Sequence, residues 1–414
     1  MRIDRERTAA RIAADVETLS APAYTSSPDA ICRYAYTPQF GATVDWFRAR
    51  FEELGFTAWD DPVGTLVARN RPAGEPAFGI GSHCDSNRNG GRWDGTMGVV
   101  VALEVCRLNA ELGLDLPLQA MSFLEEEGSG FGRVLLGSRI MARRIGEDEL
   151  REGVRALDDG RTFWEHAVEA GHHPERWRES IHALDGLRAW IEVHIEQGRV
   201  LQDHGERIGV VGAIAGCLHA DIDISGQADH AGSTPMDMRR DAGTLAAECI
   251  LEMERLGRAG ENLVTTVGEI AFQPGFINTI PYHARLSVDI RTVDDAVIAE
   301  TASAIEAFAT RRAAERGLEV TMRRRQLLDA TPLDEGVAGA LEAAAEEAGA
   351  THRRMASGAA HDTVCVAPIV PSAMVFTPCR DGITHNPAES ADPADAALAV
   401  EIVLNAMTAL RESW

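Results

Sequence analysis

Runs of apolar residues alternate with amphipathic stretches through the first half of the chain, and polar clusters follow the apolar runs. Residues 77–83 (AFGIGSH) predict a buried strand that ends in a polar turn, and residues 98–112 have the periodicity of a helix. Residues 118–124 (LQAMSFL) predict a second buried strand, which runs directly into three glutamates, and residues 187–194 (LRAWIEVH) repeat the arrangement. This alternation is typical of an α/β fold, in which ligands bind beyond the carboxyl ends of the strands.

The pattern changes between about residue 213 and about residue 325. It predicts the order strand, helix, two strands, helix and strand, with helices over residues 240–256 and 294–316 and with LVTTVGEIAF as one of the strands. This order is that of a separate α+β domain inserted into the first one.

After the insertion the chain returns to the first pattern. The predicted elements are a helix over residues 335–348, a Gly-rich loop at 357–362, an apolar strand at 373–377 and a final helix over 393–410. A chain of 414 residues is also long enough to favour two domains. We therefore expect an α/β fold in which residues 1–212 and 328–414 form a catalytic domain and residues 213–327 form an inserted α+β domain.

Composition and charge narrow the classes of function. The formal net charge is -24, which repels phosphate backbones and anionic lipid headgroups, so we expect neither nucleic acid nor membrane as a partner. The first residues lack the apolar core of a signal peptide, and no later stretch approaches the ~20 apolar residues of a membrane span. The seven cysteines are scattered without a CxxC pair, which is typical of packing residues in a reducing compartment. We expect a cytoplasmic protein.

Candidate metal ligands follow the predicted strands. His83 stands two residues before Asp85, so its ring can bind a metal with one nitrogen while Asp85 accepts the other N–H. Asp94, on a Gly-rich loop, can bridge two cations. Taken alone, a His-x-Asp pair is a weak signal, because most such pairs are ordinary turn or surface residues.

Three consecutive glutamates, at 125–127, would ordinarily form a solvated turn. Here they follow a buried strand and precede Gly-Ser-Gly-Phe-Gly, a setting in which carboxylates gather when a cation or a proton offsets their repulsion. One of them can bind a metal while its neighbour acts as a base on water. With His194 and His385 the set has the nitrogen and oxygen ligands suited to Zn, Mn, Co or Ni.

The motifs that carry these residues resemble a known family. They resemble the hydantoinase/carbamoylase branch of the di-metal aminoacylase and acetylornithine deacetylase superfamily, which includes N-carbamoyl-L-amino acid hydrolases, allantoate amidohydrolases and β-ureidopropionases. The resemblance runs from about residue 81 to about residue 389, in the order of the family's motifs. The matching segments are GSHCDSNRNGGRWDG, FLEEEGSGFG, HIEQGRVL, GQADHAGSTPMDMRRDA, FINTIPYHARLSVDIR, SGAAHDT and GITHNPAE.

The resemblance implies a role for each candidate ligand. Asp94 would bridge two divalent metal ions, Zn or Mn with Co or Ni as alternatives; His83 and His194 would complete one position, and Glu127 and His385 the other. Glu126 would be the general base that takes a proton from a water held between the metals. Asp85 would be the partner that orients His83.

The resemblance also implies that the inserted domain is a lid that mediates a homodimer and supplies substrate contacts. Those contacts would be His230, Asn278 and Arg291, with Gln197 and Gly358 from the catalytic domain. His230 would stabilise a developing oxyanion, and Arg291 would bind a substrate carboxylate. Without the resemblance, we would interpret His230 as a turn residue and Arg291 as a residue paired with a surface carboxylate.

Two segments depart from the family's pattern. Asn-Arg-Asn at 87–89 and Cys-Arg-Asp at 379–381 stand where relatives often carry apolar or small residues. Arg88 or Arg380 could meet a second acidic group on the substrate, although a solvated arginine is the commoner outcome.

The sequence therefore predicts an amidohydrolase that cleaves the C–N bond of an N-carbamoyl-L-amino acid or a related ureido acid such as allantoate. One alternative is an amidohydrolase of N-acyl-amino acids or amino acid conjugates, which shares the metal chemistry and differs only in the pocket. The other is a catalytically silent dimer that binds a small acid; it predicts loss of a ligand or of the base, and the sequence retains all six residues.

Overall fold

The computed structural model of the chain describes residues 1–412. It divides into two compact units. The first unit combines Met1–Gly212 with the chain from Leu333 onward, and the second is Ala213–Pro332. The sequence pattern predicts this return at residue 328.

The strands fall into two sheets. In chain order they are β1 (Thr57–Asp60), β2 (Leu66–Arg69), β3 (Ala77–His83), β4 (Leu118–Phe123), β5 (Leu187–Ile195), β6 (Ile208–Ile214), β7 (Gly216–Ser225), β8 (Val264–Thr266), β9 (Ile270–Gln273), β10 (His283–Thr292), β11 (Glu319–Leu328), β12 (Thr331–Pro332), β13 (His352–Ser357) and β14 (Ser372–Thr377).

The α-helices lie before, between and after these strands. They are α1 (Arg5–Thr18), α2 (Pro38–Glu53), α3 (Thr96–Glu111), α4 (Leu136–Met141), α5 (Phe163–Glu169), α6 (Val200–His204), α7 (Ala242–Ala259), α8 (Asp295–Arg316), α9 (Glu335–Glu347), α10 (Thr363–Val366) and α11 (Pro393–Glu412). A run of 3₁₀ helix at Pro174–Leu184 precedes β5.

The larger sheet has the strand order β1-β2-β4-β3-β5-β14-β6-β12, and β13 also pairs with β6. Its four central strands, β4, β3, β5 and β14, run parallel. Each is buried along almost its whole length, as expected when both faces of a parallel sheet are covered. Because parallel strands end at the same edge, the loops after these four strands meet there.

Helix α3 packs closely on the sheet through a glycine. It is buried on nearly all sides and begins two residues after Asp94, with Gly95 between them. A Cβ at Gly98 would lie 2.2 Å from the carbonyl oxygen of Val193, so only glycine permits this approach of helix to strand. Burial of this helix places its amino end, and the loop before it, at the carboxyl edge of the sheet.

Helix α11 is long and apolar enough to cross a membrane by length and composition, which the sequence analysis did not anticipate. In the fold, however, 67% of its most apolar window is buried. That burial is typical of a core helix, because α11 packs with α1, α3 and α9.

The second unit is an antiparallel sheet with two helices. Its strand order is β11-β7-β10-β8, and β9 also pairs with β10. The apolar sides of β7 and β10 join α7 and α8 in a core of their own. The fold is thus mixed α/β with a smaller α+β unit, and the predicted fold class is confirmed.

One predicted strand of this unit is wrong. The segment LVTTVGEIAF forms two short strands, β8 and β9, instead of one. At the interruption, the amides of Gly268 and Glu269 donate to the Ser287 side-chain hydroxyl on β10 instead of to a backbone carbonyl of that strand.

Candidate metal centre

The predicted ligands converge at the carboxyl edge of the four parallel strands. His83 is the last residue of β3, His194 the penultimate residue of β5, and Glu127 follows β4. Asp94 ends the loop between β3 and α3, and His385 lies in the loop after β14. Adjacent strands in register therefore bring together residues that are up to 302 positions apart in the chain.

Two groups of side chains have ligand atoms within 4.8 Å of one another. The first ligand group is His83, Asp94 and His194, and the second ligand group is Asp94, Glu127 and His385. His194 Nε2 lies 3.1 Å from Asp94 Oδ1, and His385 Nε2 lies 3.2 Å from Asp94 Oδ2. Asp94 thus offers one oxygen to each group, which is the arrangement of a bridging carboxylate.

Burial and charge act against each other at these residues. Burial opposes a charge on His83, yet the carboxylates of Glu126, Asp85 and Asp94 raise its pKa well above the ordinary value. Burial also opposes ionisation of Asp94, but hydrogen bonds from His194 and His385 lower its pKa well below the usual range.

The neighbouring glutamates shift the other way. Burial, with repulsion from Glu127, raises the pKa of Glu126 well above its usual range. Burial and the Asp94 charge raise the pKa of Glu127 to about 7. Such an acidic cluster is relieved by positive charge placed among its oxygens.

The donor set fits divalent metal ions. Glu127 Oε1 is buried and has no hydrogen-bond partner among the described residues, although Glu127 Oε2 lies 3.4 Å from His385 Nε2. An unpartnered buried carboxylate oxygen is costly unless something binds it. Imidazole nitrogen with carboxylate oxygen is the chemistry that Zn, Mn, Co and Ni share.

Asp85 and Glu126 lie beside the first ligand group. Asp85 Oδ1 is 3.4 Å from His83 Nδ1, and its two oxygens accept hydrogen bonds from the backbone amides of Glu126 and Glu127. Glu126 Oε2 lies 3.7 Å from His83 Nε2. Asp85 therefore contacts both a candidate ligand and the backbone that carries the candidate base.

Three site residues adopt left-handed backbone conformations that side chains other than glycine seldom take. They are Glu125, Gln197 and His385, with φ between 53° and 58°. The Glu125 carboxylate accepts hydrogen bonds from Ala35, Gly130 and Phe131, which offset the strain locally. Such outliers cluster at functional sites, where the surrounding structure holds them.

Gln197 and Gly358 were predicted to contact substrate. The Gln197 amide donates to Asp94 Oδ2 at 2.9 Å, so this side chain lies against the candidate bridging carboxylate. Gly358 lies in the loop after β13, beside Ser357, and a Cβ there would meet no atom within 4 Å. Contact with substrate stays a prediction for both.

The second unit carries the other three predicted contacts. The backbone of His230 forms a β-bridge with Thr279, and the Ala231 amide donates to the Asn278 carbonyl, so the DHAGSTP and FINTIP motifs lie side by side. The side chains of His230 and Asn278 are exposed. Arg291 pairs through Nε and Nη2 with Asp289, which matches the alternative in which Arg291 has an acidic partner of its own.

Structure adds residues that the sequence did not single out. Thr384 donates to Asp94 Oδ2 at 2.9 Å, and Glu389 accepts the Asp94 amide at 3.0 Å. The His361 ring packs at 4.6 Å from that of His194. All three residues belong to segments that match the family's motifs, GITHNPAE and SGAAHDT. Within those segments they stand only as neighbours of the expected residues.

In the two segments that depart from the family's pattern, 87–89 and 379–381, each arginine has the surroundings of a surface arginine. Arg88 pairs with Asp158 at 2.5 Å and stacks on Tyr34, so the charge of this arginine is already matched within the fold. Arg380 is exposed at the start of a 3₁₀ turn. All seven cysteines, which the structure describes in full, are free.

Buried imidazoles and carboxylates at the edge of a parallel sheet, in two groups that share one aspartate, define a site of the metal-dependent hydrolase class. Comparison with known proteins agrees. The family model described as peptidase family M20/M25/M40 matches residues 79–409. N-carbamoyl-L-amino acid amidohydrolase of Geobacillus stearothermophilus is 33% identical over 388 residues, covering 92% of this chain and 94% of the relative.

Two further matches point the same way. Allantoate amidohydrolase of Escherichia coli (strain K12) is 31% identical over 378 residues, covering 89% of this chain and 90% of the relative. The crystal structure of an amidase of the hydantoinase/carbamoylase family from Burkholderia multivorans has a TM-score of 0.89 at 32% identity, covering 99% of this chain and 98% of that chain.

The chain belongs to the M20/M25/M40 peptidase family, in its hydantoinase/carbamoylase branch. It is a hydrolase of linear amide C–N bonds other than peptide bonds. Members of the family bind divalent metals, and the two ligand groups of this chain could hold them.

Proposed function

We propose that the protein hydrolyses the carbamoyl C–N bond of an N-carbamoyl-L-amino acid or of a related ureido acid such as allantoate. The observation that carries the proposal is the shared Asp94, with one oxygen toward each ligand group and the Glu126 carboxylate beside the first. The similarity to an N-carbamoyl-L-amino acid amidohydrolase and to an allantoate amidohydrolase supports the class of substrate.

The residues suggest how two metal ions would be held. Asp94 would bridge them, His83 and His194 would complete one position, and Glu127 and His385 the other. Zn or Mn are the first choices, with Co or Ni as alternatives. Bound at these positions, divalent ions supply Lewis acidity and lower the pKa of water toward neutrality.

Glu126 is the candidate general base and acid. Its carboxylate accepts a proton from the attacking water and later donates that proton to the leaving nitrogen, so no net proton is lost within the step. The backbone amides of Glu126 and Glu127 bind Asp85, which keeps the Glu126 side chain in place. A carbamoyl substrate then gives the free amino acid, carbon dioxide and ammonia.

Substrate recognition falls to Gln197, Gly358, His230, Asn278 and Arg291. Arg291 would bind the substrate carboxylate, because a guanidinium matches a carboxylate with two parallel hydrogen bonds. His230 would donate a hydrogen bond to the oxygen of the attacked carbonyl group, where negative charge develops. If Arg291 has this role, the substrate would be an acid.

A homodimer in the cytoplasm is part of the proposal. In the second unit, Met236, Met238, Phe276 and Ile277 are large apolar residues left exposed, and they lie within the motifs that carry His230 and Asn278. Exposed apolar residues of this size are typical of surfaces that bind a partner. A second copy of the chain is the partner that the family resemblance suggests.

Hydrolysis of an N-acyl-amino acid remains the competing proposal, and a silent binding protein is the third. We would strip the protein of metal, reload it with Mn, Zn, Co or Ni, and assay N-carbamoyl-L-amino acids, allantoate, β-ureidopropionate and N-acyl-amino acids for release of ammonia and amine. Ammonia from a ureido substrate supports the proposal. Amine from acyl substrates alone favours the acylase.

The variant Glu126→Gln tests the base. It keeps the size of the side chain but cannot accept the proton, so kcat should fall by about 10²- to 10⁴-fold while both metal ions remain bound. Metal content of the variant, measured in the same preparation, is the control. Unchanged kcat with full metal content would rule out Glu126 as the base.

A further inference from the structure

Glu389 links two chain segments that both contribute to the candidate metal centre. Its side chain is only 4% exposed. Oε1 accepts hydrogen bonds from the backbone amides of Trp93 at 2.8 Å and Asp94 at 3.0 Å, and Oε2 lies within hydrogen-bond distance of Thr384 Oγ1, at 3.0 Å. One buried carboxylate therefore holds the loop that carries Asp94 to the loop that carries His385.

Thr384 continues this link to the carboxylate of Asp94. Its hydroxyl lies 2.9 Å from Asp94 Oδ2 as well as 3.0 Å from Glu389 Oε2. Asp94 Oδ2 is the oxygen that faces His385. The hydroxyl thus contacts Asp94 on the side of the second ligand group.

Local packing is built around Glu389. A Cβ at Gly91 would lie 2.3 Å from Glu389 Cβ, well inside van der Waals contact, so the Gly-Gly sequence before Asp94 leaves the space that Glu389 fills. The carboxylate consequently reaches the Trp93 and Asp94 amides directly.

The two ligand groups differ in how much they need this support. His83 and His194 are buried at strand ends, and their Nδ1 atoms lie 3.1 Å and 2.9 Å from the backbone carbonyls of Asp85 and Ile195. His385 is in a loop, has a left-handed backbone and a side chain 44% exposed. Strand pairing therefore orders the two histidines of the first group, whereas His385 of the second group depends on contacts between loops.

We propose that Glu389, acting through Thr384 and the Asp94 backbone, is a positioning residue for the second metal position, formed by Asp94, Glu127 and His385. The inference rests on the proposed function only in taking these residues as ligands. Partners behind metal ligands orient them, and their loss typically weakens metal binding by about 10- to 100-fold. The loss expected here is selective for one of two positions.

The test counts bound metal. Metal-free protein is titrated with Mn²⁺ and, separately, Zn²⁺, and bound ions are measured by equilibrium dialysis with elemental analysis. The wild type should bind two ions per chain. Thr384→Val, which keeps the shape but not the hydroxyl, and Glu389→Ala should each bind one ion normally and the second about 10- to 100-fold more weakly.

Two controls separate positioning from general damage. Thr384→Ser restores a hydroxyl and should recover the second ion. Glu401→Gln alters a buried carboxylate of α11 whose hydrogen-bond partners are Ile3 and Arg5, not a candidate ligand, and should retain both ions. A folded Thr384→Val protein gives the comparison even if Glu389→Ala does not fold.

The inference is overturned if Thr384→Val and Glu389→Ala bind two ions with wild-type affinity, if both ions weaken equally, or if the wild type binds fewer than two. Failure of the proposed function has a different signature. A wild type that binds two ions but hydrolyses no ureido acid refutes the proposed substrate and leaves the metal count of the variants as a valid test.

Discussion

Gly95 stands between the candidate bridging aspartate and helix α3, and its replacement by alanine should damage the metal centre by a collision that can be located in the structure. Gly95 has φ of 61°, and a Cβ added there would lie 2.2 Å from Cε1 of the His83 ring and 2.4 Å from both ring nitrogens. His83 is only 1% exposed, so its imidazole has little space to move into.

The magnitude has two parts. Gly95 has φ of 61° and ψ of -51°, which lies outside the left-handed helical region, so its backbone costs alanine at least as much as that region does, about 1–2 kcal/mol. Overpacking of a buried site adds about 1–3 kcal/mol. Gly95→Ala should therefore lower the free energy of unfolding of the metal-free protein by about 2–5 kcal/mol.

Gly113 offers a control for the positive φ. Its φ is 63°, almost the same as that of Gly95, but a Cβ there would meet no atom within 4 Å. Gly113→Ala should cost only the backbone part, about 1–2 kcal/mol, and should leave metal binding unchanged. The difference between the two variants contains the collision with His83 together with any difference in backbone cost that the ψ of -51° at Gly95 brings.

The assay is urea denaturation of metal-free protein, followed by metal titration of the folded variants. Gly95→Ala should show the lower urea midpoint of the two and a weaker first ion, because the displaced ring belongs to the first ligand group. Equal urea midpoints together with unchanged metal affinity would refute the reasoning. They would mean that the His83 ring can move aside without a loss of stability or of metal binding.

Two other predictions concern the second unit. Arg291→Lys should raise KM for an acidic substrate by about tenfold or more with little change in kcat, because lysine cannot form the bidentate pair; an equal change for the carboxamide analogue of that substrate would contradict the role of Arg291. Burial opposes ionisation of Asp221, but hydrogen bonds from Arg325 and Arg285 lower its pKa to about 2. A lowered pKa stabilises the fold above the unfolded value of about 3.9, and the stabilisation is lost as pH falls toward about 2. Asp221→Asn should therefore cost roughly 1–2 kcal/mol at pH 7, allowing for the exposure of the arginines, and the difference from wild type in urea denaturation should shrink below about pH 4; a difference independent of pH would contradict this assignment.

Much of the fold could be predicted because it depends on short-range patterns. The apolar runs of β3, β4 and β5 and the periodicity of α3 are properties of consecutive residues, and the structure has these elements within a residue or two of the predicted bounds. The resemblance of the motifs identified the family, which the comparisons confirm. The hydrolase class followed from the same residues.

Other features depend on which residues become neighbours. At the split of LVTTVGEIAF into β8 and β9, backbone amides bind the Ser287 hydroxyl on another strand, and Arg88 meets Asp158 from a later part of the chain. Nothing in the local pattern of either segment contains its partner. Periodicity reports which face of a segment is apolar, and it cannot report what will cover that face or bind its polar groups.

The candidate metal centre shows the same division. The sequence by itself determined the types of ligand, their positions after buried strands and, through the motifs, their family. Tertiary structure alone decided that Asp94 presents one oxygen to each ligand group and that Glu389, 295 residues away, binds its backbone. The physical reason is that a ligand's chemistry belongs to its residue, whereas its orientation is set by hydrogen bonds from segments that only folding brings within reach.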